Sequence, residues 1–172
     1  MIKLGPPVGC VVFLHNSSGA VGVEKLLRAF EALVVFGDRH CHEGAAFNDR
    51  HYYEGVSSSA WAKLGGEQLE VIVSTEKIGV ANLVFLNFNE DEVVHLAREK
   101  KTAITELFMP YVETAKAVDE TLAIALGFDL SAPSDLREQS LHEVGVALLF
   151  ARDESSQLWL RRELRPMVGH YL

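Results

Sequence analysis

The residue types best able to do chemistry gather in Asp38-Arg39-His40-Cys41-His42-Glu43 and, shortly after, Asp49-Arg50-His51. Three of the seven histidines and one of the two cysteines fall in this stretch. Imidazole, thiolate and carboxylate are the groups that ligate metals or move protons near neutral pH. In an extended segment, His40 and His42 project to one side and can chelate one ion. With His51 they form a candidate zinc or manganese set, and Asp49 or His15 can supply a further ligand. A set of this kind leaves a coordination position open for water, the arrangement of a metal-dependent hydrolase. No HExxH helix or other complete signature accompanies them. Cys41 faces away from the two histidines in such a segment and has no assembled base, so no catalytic residue is assigned.

Around this stretch lie Tyr52, Tyr53, Glu54 and, further on, Trp61. Aromatics rimmed by charge compose protein-recognition surfaces, where a few Trp and Tyr side chains carry most of the binding energy. The candidate partner surface is therefore Asp38, Glu43, Asp49, Tyr52, Tyr53, Glu54 and Trp61. Other motifs are weaker. Ser17-Ser18-Gly19 follows an apolar run and opens a helical pattern, but it lacks the lysine of a phosphate-binding loop, so an N-cap is the simpler reading. Ser57-Ser58-Ser59 has no nucleophile elbow around it.

The elements that must position these residues follow from hydrophobic patterning. Val8–Leu14 is a continuous apolar run, as in a strand buried on both faces. Val23, Leu26, Leu27, Phe30 and Leu33 recur at helical spacing, and Val34-Val35-Phe36 reads as a second strand. If these two strands were parallel neighbours, His15 and Asn16 would meet Asp38, His40 and His42 at one crevice. Residues 37 to 67 read as a long loop, with Ser59–Leu64 as one helical turn ended by Gly65-Gly66. Leu69–Thr75 and Val80–Phe88 read as a hairpin with a four-residue connection. Asn89 is placed to cap a long helix, kinked or broken at Pro110. A second stripe of Tyr111, Ala115, Val118, Leu122 and Ala125 carries the helical pattern to Gly127. Val144–Phe150 and Gln157–Glu163 complete a strand pair, with Trp159 and Arg161 on one of its faces. The expectation is one α+β domain over residues 1–172, with a mixed sheet of about five to six strands and helices on one face.

Composition bounds the function. The chain has 172 residues, 48% of them hydrophobic and 23% charged, with a mean hydropathy of +0.10. This suits a globular domain rather than a disordered chain. A net charge of −8 argues against nucleic acid as a partner. There is no secretory layout at the N-terminus and no apolar stretch near the roughly 20 residues needed to span a bilayer. Two cysteines give no disulfide framework, which fits a reducing cytoplasm.

A small, acidic, cysteine-poor chain with an aromatic and charged loop resembles bacterial inhibitor or immunity proteins, which neutralise a toxin or enzyme by binding it. That resemblance is one of size and charge, with no aligned stretch behind it. It implies a protein partner of basic character, no cofactor and no catalysis. The metal-dependent hydrolase and an accessory subunit of a larger assembly, packing through the helix face near Pro110 and Tyr111, are the alternatives.

Overall fold

The computed structural model describes residues 7–15, 19–41, 57–78, 81–133, 135, 137–153, 155, 157–165 and 167. Its elements, in chain order, are β1 (Pro7–His15), α1 (Gly19–Phe30), β2 (Val34–Cys41), β3 (Ser57–Leu64), β4 (Glu67–Ile78), β5 (Ala81–Asn89), α2 (Glu90–Lys100), α3 (Ile104–Lys116), β6 (Thr121–Phe128), α4 (Glu138–Glu143), β7 (Val146–Arg152) and β8 (Trp159–Glu163). The eight strands form one sheet in the order β2-β3-β4-β5-β1-β6-β7-β8, and every pairing is antiparallel.

The class is α+β, as the patterning predicts, but the sheet is wholly antiparallel and larger than five to six strands. β1 lies at its interior, between β5 and β6, which explains an apolar run without alternation: from Val8 to Leu14 both faces are covered. Residues of α1, α2 and α3 pack with Val8, Cys10 and Val12 on one face. The other face is covered in part, by Leu141 of α4 and Leu130 resting on Val11, Phe13, Leu83 and Leu149. Helical cover is thus not confined to one face.

Three local expectations fail for identifiable reasons. Ser59–Leu64 is strand, not a helical turn: Ala60, Ala62 and Leu64 are buried while Trp61 and Lys63 are exposed, a period of two. Gly65 and Gly66 have φ of +58° and +85° and join Leu64 to its partner Glu67. That is the two-residue hairpin turn whose central residues both need positive φ. The helix after Asn89 breaks at Lys101 rather than at Pro110. Lys101 adopts a left-handed conformation, φ 54°, and Thr102 N donates to Ala97 O at 3.0 Å, closing the helix as a C-terminal cap does. Pro110 sits inside α3. The stripe that the sequence extends to Gly127 is interrupted at Ala117, and Thr121–Phe128 is an interior strand, nearly all buried.

Other expectations hold. Asn89 caps α2, its Oδ1 accepting from Glu92 N at 3.2 Å, with Glu90, Asp91 and Glu92 in the first turn. The β4–β5 hairpin forms, although its ladder runs on to Ile78 and Ala81, leaving residues 79–80 as the connection. β7 and β8 pair as expected, Arg152 opposite Trp159.

Cys10 is a free thiol, fully buried among the residues under the helices. Burial pushes its pKa up to about 12, because an apolar environment disfavours the thiolate. Alkylation of the peptide containing Cys10, followed by mass spectrometry so that Cys41 is read separately, is expected to be negligible in native buffer. It should rise only in step with global unfolding in denaturant. Native labelling at the rate of an unfolded peptide would show that β1 is not held in the sheet interior.

Candidate protein-binding surface

The topology separates what the crevice argument needed together. β1 and β2 run in the same direction, but β5, β4 and β3 lie between them. Four interstrand spacings put their ends about 19 Å apart. His15, which ends β1, therefore does not share a crevice with the end of β2. Asp38 and His40 lie, at backbone level, in β2. Glu43, Asp49, Tyr52, Tyr53 and Glu54, together with His42 and His51, lie outside the described residues, in the connection between β2 and β3. Among the described residues, no group of three or more His, Cys, Asp or Glu side chains is arranged to hold a metal ion.

Trp61 is described, and its position is informative. It lies on β3, where alternation turns Ala60 and Ala62 toward the helices and Trp61 the other way. Its cross-strand neighbours are Val35 on β2 and Glu70 on β4. Trp61 and Val35 are each 54% exposed. Ser59 donates to Glu70 Oε1 at 2.8 Å beside them. The apolar cluster that covers this face elsewhere draws on β1, β5, β6 and β7 and takes no residue from β2, β3 or β4. The β2–β4 part of the sheet is thus uncovered among the described residues, with an indole and a branched aliphatic side by side and a carboxylate at their edge. Sequence reasoning selected Trp61 but not Val35 or Glu70. Both sit in separate strands, and only the register brings them to it.

A second feature occupies the same face across the sheet. A cavity of about 370 Å³ has Leu122, Ala123, Leu141 and Leu149 in its lining, with His15 and Gln157 also contributing. Its size falls at the low end of ligand pockets. Its lining divides evenly between apolar and polar residues, the polar ones also including Asp119, Thr121 and Arg152. Near α4, the Asp135 carboxyl is held to about 2 by hydrogen bonds from the Arg137 side chain and backbone N–H and from Ser140. It anchors the entry to α4, since Arg137 N and Nε donate to it at 2.8 and 2.9 Å.

Comparison with protein-family models, with curated proteins and with solved structures finds no match. What the chain defines by itself is an α+β protein built on one antiparallel sheet, with the β2–β4 face uncovered among the described residues. Among the described residues, no helix is long and apolar enough to cross a membrane.

Proposed function

We propose that this chain is a small acidic protein-binding module of the inhibitor or immunity type, neutralising a basic toxin or enzyme by direct contact. The observation that carries the reading is the exposed cross-strand row Val35–Trp61–Glu70 on a sheet face left uncovered among the described residues. An exposed tryptophan on a rigid strand is an efficient anchor: it offers a large area and loses little conformational entropy when a partner covers it. Net charge of −8 supplies long-range attraction for a basic partner. Asp38, Glu43, Asp49, Tyr52, Tyr53 and Glu54 are the further residues this proposal assigns to partner binding.

The test is a matched capture at low salt on immobilised wild type and on Trp61→Ala. The recovered protein is then identified, titrated directly, and assayed for its own activity with and without stoichiometric module. A basic protein held by wild type and inhibited by it is expected. Trp61→Ala should weaken that complex by about 2 kcal/mol, roughly thirtyfold, as hot-spot truncations do. Glu70→Lys should chiefly slow association, with an effect that shrinks as salt rises. Binding indifferent to both substitutions and to salt would refute the surface.

A further inference from the structure

The opposite edge of the sheet has the reverse character. β8 is the last strand and pairs with β7 and, among the described residues, with nothing else. On the helix side, three cations crowd two rings. Lys116 Nζ lies 5.0 Å from the Phe150 centroid and 6.0 Å from that of Trp159. The Arg152 guanidinium is 5.0 Å from the Trp159 centroid, and that of Arg161 is 5.9 Å from Phe150.

Among the described residues, little neutralises this group. Lys116 meets Glu113 at 3.3 Å across an exposed pair, and such pairs are weak. Arg152 donates to the Asp119 carbonyl at 3.5 Å, and among the described residues its buried Nε has no hydrogen-bond partner. Arg161 has no carboxylate partner among the described residues, and Glu163 is the acid that follows it on that side of the strand. In a chain of net charge −8, this is a local excess of positive charge. The other side is apolar at its start, where Leu158, just before β8, and Leu160 are 63% and 55% exposed, and Arg162 beyond them is paired with Glu138 at 3.1 Å.

We propose that β8 is a docking edge for an extended peptide segment that alternates acidic and aliphatic residues. A strand added to β8 would pair with backbone N–H and C=O groups that have no ladder partner among the described residues. Its alternate side chains would fall on opposite faces, as in any strand. Acidic ones would lie over Trp159 and Arg161, within reach of Arg152 and Lys116. Aliphatic ones would lie over Leu158 and Leu160, covering area that β8 leaves in water. One occupant answers both faces, and a free anion would answer only one. This partner is distinct from the basic one proposed for the Trp61 face on β3, six strands away.

The probe is a short blocked peptide of alternating glutamate and valine, added to full-length wild-type protein and followed by amide NMR and hydrogen exchange. Shifts and new protection are expected at Trp159–Glu163, with Arg161→Glu weakening binding about tenfold or more. Methylation of the peptide's backbone nitrogens should abolish it, while Trp61→Ala should leave it unchanged. Equal binding of the methylated peptide would overturn strand addition, and equal binding of a lysine–valine peptide would overturn charge recognition. Silence at millimolar peptide would overturn the site altogether. Concentration-dependent protection of β8 without peptide would overturn it in favour of a second copy of this chain. Because wild type reports directly, a variant that fails to fold does not obscure the outcome.

Discussion

Tyr111→Ala is expected to destabilise the protein by about 3–5 kcal/mol, the range for truncating a large buried aromatic. Tyr111 is the largest fully buried side chain among the described residues and sits where four elements meet. Its ring centroid is 5.7 Å from that of Phe30 in α1, 6.2 Å from Phe88 in β5 and 6.3 Å from Phe108 in its own helix. Its hydroxyl donates to Lys63 O, on β3, at 2.6 Å. Burial raises the pKa of that hydroxyl well above its usual value, so it stays protonated and available as a donor. Tyr111→Phe keeps the ring and leaves the Lys63 carbonyl short of a partner, which should cost about 1–3 kcal/mol. Urea unfolding followed by circular dichroism separates the two. Against a typical total of about 5–15 kcal/mol, the alanine variant should be largely unfolded in moderate denaturant. A loss below 1 kcal/mol for alanine would mean that α3 does not pack on the sheet as described.

How far this arrangement is legible in the sequence depends on how local its cause is. The Asn89 cap is readable because donor and acceptor lie three residues apart. β1 is readable because a strand covered on both faces has nothing polar in it. That same property hides β6. Thr121–Phe128 is also buried on both faces, and an apolar run without alternation fits a helical stripe as well as a strand. β3 fails for a different reason: Ala, Trp, Lys and Leu are acceptable in helices, and Gly-Gly after them reads as a helix stop as readily as a hairpin turn.

The candidate site follows the same division. Trp61 stands out by residue type alone. Its exposure depends on which strands flank β3 and on what fails to cover them, and strand order is set by long-range pairing. The expected meeting of His15 with the end of β2 erred on this point, since two strands joined by a helix need not be neighbours. Likewise, the sequence places Trp159 and Arg161 on one side of a strand, but not at the edge of a sheet. Lys116 and Arg152 come to those rings from other elements, through contacts that no spacing announces.

Gly9→Ala is expected to cost more than about 3 kcal/mol, beyond the usual overpacking range, or to prevent folding. Gly9 lies on β1 opposite Asn87 of β5 and Gly127 of β6, so neither side can yield without disturbing an interior ladder. A Cβ there would stand 1.9 Å from Leu86 O and 2.9 Å from Leu86 C. Those are backbone atoms, and no side-chain rotation relieves the overlap. β1 and β5 would have to part beside Cys10 and Leu86, a register pair whose side chains are both fully buried. Gly66→Ala is the control, since its Cβ would meet nothing within 4 Å but its φ is +85°. It should cost about 1–2 kcal/mol from left-handed strain alone. Thermal unfolding of the two variants side by side distinguishes clash from strain. Equal losses would mean that β1 and β5 do not approach as closely at Gly9 as this register requires.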